Sequence, residues 1–247
     1  QGGQVNSANV KALLSQAMHA GIHILDTAQA YGNAEQVLGD NFPTNHGFQI
    51  ISKLPAQLDA PFDSERRQEW QNGLENSLKQ LNISHLDALL LHRASDLKGK
   101  DGPRLLDWLL NVREQGLTHR IGVSIYSDTE LDDLPLEDLQ IIQLPCSLYD
   151  QRLIENHTVD HLQQQGIALH ARSLYLQGLL VTPSCHWPES IPAPLRQHHQ
   201  KLEALASERQ CSLVDLALGW ARQQTWMEAA VVGVTQCSEL DALIHSW

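Results

Sequence analysis

The 247-residue chain is 42% hydrophobic and 19% charged, the composition of an ordinary globular enzyme-sized domain rather than a fibrous, collagenous or low-complexity one. A formal net charge of −12 argues against a partner gripped through its phosphates, so nucleic acid and anionic membrane surfaces are excluded as main partners. No apolar run approaches the roughly 20 residues of a membrane span and no basic-then-apolar leader opens the sequence, so a single cytoplasmic domain over residues 1–247 is expected.

The first element in the chain is a helix. Val10, Leu13, Leu14 and Ala17 repeat at helical spacing, with Ser7 placed to cap the start and Gly21 to stop the end. Ile22–Thr27 then reads as a strand, and six more follow at 48–54, 86–92, 120–125, 140–144, 167–174 and 229–234. Between them the spacing predicts helices over 64–81, 103–115, 127–133 and 158–165, and a helical pair over 195–224. Ser127 with Glu130 forms a capping box, and Gly116 and Gly166 sit where helix stops belong. The run from Val181 to Pro194 holds four prolines without periodicity and reads as a loop bordering the site. The last helical pattern runs into Trp247.

Near-continuous apolar strands such as L-D-A-L-L-L-H, alternating with helices, describe a parallel sheet covered by helices. The fold class expected is α/β, a (β/α)8 TIM barrel; no G-x-G-x-x-G turn follows a strand to favour a doubly wound sheet. Because the chain opens on a helix, the barrel's first strand is expected ahead of Gln1, and the domain is expected to be truncated at both ends. Two sheet edges would then lie open, which suits a monomer or a weak homo-oligomer. Cys146, Cys185, Cys211 and Cys237 are scattered without a C-x-x-C pair, so reduced thiols are expected and no metal site.

In a barrel of this kind, side chains at the carboxyl ends of the strands point into the site. Asp26, Lys53 and His92 each end a strand, and Tyr31 follows the first of them across a short loop. The four offer an anion, a cation, an imidazole and a phenol at one mouth. Carbonyl reduction requires such a set, because hydride addition leaves charge on oxygen that a positioned acid must meet. A free phenol is a weak acid at neutral pH; a lysine ammonium close to it favours the phenolate, and an aspartate would hold that ammonium charged and aimed.

G-I-H-I-L-D-T-A-Q-A-Y-G at 21–32 and E-Q-V-L-G at 35–39 resemble the aldo-keto reductase signature. Further similar segments follow in that family's order: I-S-K at 51–53, L-L-L-H at 89–92, G-V-S at 122–124, Gln143 within I-I-Q-L-P, R-S-L-Y-L-Q-G-L-L at 172–180 and V-V-G-V at 231–234. The phrasing is most similar to a bacterial subgroup associated with surface-polysaccharide sugar metabolism, which points to a polar or sugar-like carbonyl substrate.

The resemblance implies a catalytic tetrad of Asp26, Tyr31, Lys53 and His92, with Tyr31 as general acid and His92 orienting the carbonyl. It implies NADPH as cofactor, with NADH as the alternative. Ser124 and Gln143 would hold the nicotinamide carboxamide, although Ile125 stands where the family has an asparagine. Arg172 would replace the aromatic residue that stacks on the nicotinamide, its charge favouring the reduced form. Ser173, Leu174, Gln177, Gly178, Gly233, Thr235 and Gln236 complete the cofactor set. Around 235–239 the chain offers Thr235, Gln236 and Glu239 where basic residues would grip a 2′-phosphate. The departures at Ile125 and Arg172 also suit a second function, a cofactor-binding regulatory barrel with little turnover.

Overall fold

The computed structural model describes residues 6–57 and 61–247. Seven strands form one parallel sheet in strictly sequential order: β1 (Ile24–Asp26), β2 (Gln49–Leu54), β3 (Leu86–Leu91), β4 (Thr118–Ser124), β5 (Ile141–Pro145), β6 (Ala168–Arg172) and β7 (Ala229–Ala230). Nine α-helices are seen among the described residues: α1 (Ser7–His19), α2 (Ala34–Asn41), α3 (Ser64–Leu81), α4 (Gly102–Glu114), α5 (Arg152–Glu155), α6 (Thr158–Gln164), α7 (Ala193–Glu208), α8 (Leu213–Arg222) and α9 (Cys237–Ser246). This is the (β/α) barrel architecture expected from the sequence, a nearly closed wall of strands inside a layer of helices.

Alternation along the strands sorts the core into two layers. Ile51, Ala88, Leu90 and Ile141, with Ile24 and Ala168 against them, pack together inside the barrel. A much larger cluster, including Leu54, Leu89, Leu91, Ile121, Val123, Ile142, Leu144 and Leu169, faces the helices and meets Leu74, Trp108, Leu109, Val112, Val159 and Leu162. Since side chains two apart share a face, Asp26, Lys53, His92, Gln143 and Arg172 continue the inward rows begun by Ile24, Ile51, Leu90, Ile141 and Ala168. The apolar plug thus becomes the floor of the site.

Several boundaries differ from expectation. Asn6, not Ser7, caps α1, its side chain accepting from the Asn9 amide at 2.9 Å. Ser7 lies inside the helix and donates to Asn41 Oδ1 at 2.7 Å. The helix expected over 127–133 is only a single 3-10 turn, Asp128–Glu130. Its capping box forms, but Asp133 turns left-handed (φ 60°) just before Pro135, which ends the helical path. Helix α2 has no counterpart among the expected elements. It is eight residues long, and its buried Glu35 accepts from Ser52 Oγ at 2.6 Å, an apolar-position signal written in a charged residue.

The last strand, expected to reach Val234, pairs with β6 over Ala229 and Ala230 alone. Among the described residues no strand pairs with the outer edge of β7 or of β1. Between those edges runs an apolar groove of about 600 Å³, lined by residues such as Leu14, Ile24, Val231, Leu240 and Leu243. Among the described residues no helix is long and apolar enough to cross a membrane.

Gly122 is where β4 and β5 approach too closely for a side chain: a Cβ there would lie 1.9 Å from the Ile141 carbonyl oxygen and 2.8 Å from Ile141 Cγ2. Both strands continue directly into the site through Ser124 and Gln143, which pair in register. Gly122→Ala is expected to lower stability by about 2–3 kcal/mol, read as a lower urea midpoint; an unchanged midpoint would show that the two strands part without cost.

Candidate active site

The site is built around a buried carboxylate. Lys53 Nζ, 2% exposed, lies 2.5 Å from Asp26 Oδ1 and also donates to the Thr27 carbonyl at 3.0 Å. The other carboxylate oxygen accepts from Gln143 Nε2 at 2.8 Å. One aspartate on β1 thereby ties β2 to β5 across the barrel. Burial drives the Lys53 ammonium below its ordinary value, and Asp26 opposes that shift.

Tyr31 sits on the loop after β1, which the Gln29 amide fastens to the Lys53 carbonyl at 3.1 Å. Gly32 follows with φ 62°, a left-handed turn that glycine adopts without steric cost. The Tyr31 ring is 49% exposed, its centroid 5.4 Å from Lys53 Nζ and 6.5 Å from the His92 ring in an edge-on arrangement. Burial and the two neighbouring cations, Lys53 and Arg172, hold the His92 imidazole below its ordinary range, so the ring is neutral at pH 7. Asp26, Lys53 and His92, at the ends of three successive strands, therefore meet Tyr31 at one mouth.

Their electrostatics depart from expectation in one respect. The Tyr31 phenol lies above its ordinary value of 10.0, raised first by burial and then by the Asp26 charge, while Arg172 pulls it down. The Lys53 charge is compensated by its contact with Asp26 and makes no hydrogen bond to the Tyr31 hydroxyl, so the expected acidification by lysine is not what this arrangement delivers.

Ser124 and Gln143 stand side by side on β4 and β5. Ser124 Oγ accepts from Arg172 Nε at 3.3 Å. Ile125 turns its side chain into the outer core, fully buried, and its carbonyl accepts from Arg172 Nη2 at 2.9 Å. Arg172 also donates to Ser173 Oγ at 3.3 Å, and its guanidinium lies 4.1 Å from the centroid of the Tyr126 ring. Tyr126 was not among the residues marked by the sequence. Its only signal is an aromatic side chain immediately after G-V-S-I, and in the structure it is 56% exposed.

Beyond Arg172 the backbone takes left-handed turns at Ser173 (φ 63°), Leu176 (φ 47°), Gln177 (φ 57°) and Gly178 (φ 92°). Left-handed non-glycine residues cost free energy and cluster at ligand clamps. Leu174 is buried beside this loop. Gly233 lies in the coil after β7, and the Thr235 amide and hydroxyl both donate to Glu239 Oε2, at 2.7 and 3.0 Å. Gln236 Nε2 donates to the same carboxylate at 3.4 Å. An acid, rather than a base, thus stands at the start of α9.

Deeper in the barrel, fully buried His170 contacts Glu228 Oε1 through Nε2 at 3.1 Å, and Glu228 pairs with Arg120 at 2.7 Å. Arg120 also pairs with Asp87. This network cross-links β3, β4 and β6 to the residue preceding β7. His170 is thereby committed to Glu228, and among the described residues no three histidines, cysteines or acids are grouped to hold a metal ion.

The pattern of the Aldo/keto reductase family matches residues 1–247. An aldo-keto reductase of Mycolicibacterium vanbaalenii is 31% identical over 53% of this chain, an aligned stretch spanning 46% of that protein. Aldo-keto reductase YhdN of Bacillus subtilis is 24% identical over 94% of this chain and 77% of its own length. Among solved structures, aldo-keto reductase AKR11C1 from Bacillus halodurans superposes with a TM-score of 0.76 over 98% of this chain and 83% of that one; at 17% identity the likeness concerns the fold. Matched along its whole length, with the expected strand ends converging on one mouth, the chain belongs to the aldo/keto reductase family.

Proposed function

We propose that this chain is a nicotinamide-dependent oxidoreductase that reduces a small, polar, sugar-like aldehyde or ketone to an alcohol. The observation that carries the reading is the convergence of the Asp26–Lys53 pair, neutral His92 and half-exposed Tyr31 at one end of the barrel.

The donor set fits a nicotinamide carboxamide. Ser124 Oγ accepts from Arg172 and so keeps its own hydrogen to donate. Gln143 spends its amide nitrogen on Asp26, which leaves its carbonyl oxygen to accept. One donor and one acceptor on adjacent strands are what a carboxamide needs. Ser173, Leu174, Gln177 and Gly178 would line the dinucleotide's path, with Arg172 beside the ring. Gly233, Thr235 and Gln236 would meet its adenosine end. Family likeness favours NADPH; the Glu239 carboxylate held by Thr235 and Gln236 works against a 2′-phosphate, so NADH is the alternative cofactor.

A reduced nicotinamide held there by Ser124 and Gln143 would supply the hydride. His92, neutral at pH 7, has one ring N–H to donate to the substrate oxygen and orients it. As electrons shift from the carbonyl bond onto oxygen, Tyr31 gives up its hydroxyl proton to that oxygen. The Lys53 and Arg172 cations lie near the phenolate left behind, and Tyr31's exposure lets solvent return the proton.

Tyr31→Phe is expected to lower kcat/KM for a reactive aldehyde by about 100-fold or more, while a fluorescence titration still shows dinucleotide binding. A protein that binds dinucleotide yet reduces no aldehyde before the substitution would instead support a regulatory barrel. Because the acid form of Tyr31 is required and its phenol lies above 10.0, kcat/KM for reduction should hold through neutral pH and fall only beyond that value. A basic limb near pH 7 or 8 in the pH–rate profile would contradict Tyr31 as the acid. Asp26→Asn leaves the Lys53 ammonium buried without its counter-charge and should cost about 3–5 kcal/mol of stability. Adding Lys53→Met should restore much of it, as measured by denaturant unfolding.

A further inference from the structure

Among the described residues, no carboxylate pairs with Arg172. The other cations inside the barrel are paired: Lys53 with Asp26, and Arg120 with Asp87 and Glu228. Every partner of Arg172 among the described residues is neutral: Ser124 Oγ, Ser173 Oγ, the Ile125 carbonyl and the Tyr126 ring. Three of its five N–H donors make these bonds, which leaves others unspent. The guanidinium plane is fixed on one face by Tyr126 and along its edge by β4. A half-buried, immobilised and uncompensated cation is expensive in a fold that can neutralise its other interior charges.

The position is as informative as the charge. Arg172 ends the inward row of β6, and its charge acts on Tyr31, Lys53 and His92 alike. Since Asp26 and Lys53 cancel and His92 is neutral, Arg172 is the one of these four side chains that brings an uncompensated charge to the mouth, in a chain of net charge −12.

We propose that Arg172, held by Tyr126, Ser124 and Ile125, binds an anionic group of the carbonyl substrate and selects aldehydes and ketones that bear a carboxylate or phosphate. This rests on the reading of the mouth as a carbonyl-reducing site. A planar guanidinium with free edge donors suits a carboxylate or phosphate oxygen pair better than any neutral sugar hydroxyl. Ser173, left-handed at φ 63° with its hydroxyl on Arg172 Nη1, stands at the same edge.

The test compares meta- and para-formylbenzoate with their methyl esters, which match them in shape but carry no charge. The native protein, Arg172→Lys and Arg172→Gln are each assayed for the acid-to-ester ratio of kcat/KM. Calorimetry follows acid binding, and fluorescence follows NADPH and NADH binding. The native protein is expected to favour the acids by roughly tenfold or more, the value of one charge-assisted hydrogen bond. Arg172→Gln should bring the ratio near one, and Arg172→Lys should keep part of it, retaining charge without the fork. The ratio within one variant cancels any change in cofactor affinity. A native ratio near one, or a ratio that Arg172→Gln does not move, overturns the proposal and leaves carbonyl reduction standing. Loss of dinucleotide affinity in Arg172→Gln with an unmoved ratio assigns the cation to the cofactor and also overturns it. If neither aldehyde turns over but acid binding disappears in Arg172→Gln, the anion site stands and the reductase reading falls.

Discussion

The Asp26 carboxylate is shared by Lys53 and Gln143, and the rest of the site is arranged around that sharing. Three strands that are not all neighbours, β1, β2 and β5, converge on two oxygen atoms. A buried carboxylate and ammonium survive only when each compensates the other and their remaining hydrogen-bonding capacity is met. Lys53 meets it through the Thr27 carbonyl, and Asp26 through the Gln143 amide. Both the register of the inner rows and the orientation of Gln143 follow from this one arrangement. The same bond decides which end of the Gln143 amide faces the open mouth.

Compensation at Asp26 shifts electrostatic control elsewhere. With Lys53 neutralised by its partner, Arg172 becomes the cation that lowers the Tyr31 phenol. Ile125 and Arg172 are coupled through the backbone, since the guanidinium that acts on Tyr31 is itself held by the Ile125 carbonyl. The side chain of Ile125 is buried in the outer core, and Arg172 donates to the Ile125 carbonyl and the Ser124 hydroxyl.

The architecture was legible in the sequence because it rests on periodicity. Runs such as L-D-A-L-L-L and I-I-Q-L-P are buried on both faces, and the helices between them carry regular apolar stripes. Asp26, Lys53 and His92 could be picked out because strand ends in such a fold face one mouth. Helix α2 escaped because its inward position is the carboxylate of Glu35, which no hydrophobic pattern marks. The segment 127–133 stops at a single turn because a capping box fixes where a helix starts and says nothing about the left-handed Asp133 that ends it. Tyr126 and the Gln143–Asp26 bond escaped for another reason: both depend on side chains that meet across strands distant in sequence, 117 residues apart in the second case.

The uncompensated guanidinium of Arg172 also has a kinetic consequence. An anion approaching this molecule meets a repulsive far field from a net charge of −12 and an attractive near field at Arg172. Mobile ions screen over about 10 Å at 0.1 M ionic strength, so added salt weakens the distant repulsion more than the contact attraction. Encounter with an anionic ligand should therefore quicken with ionic strength, the reverse of the usual behaviour for a positively charged pocket.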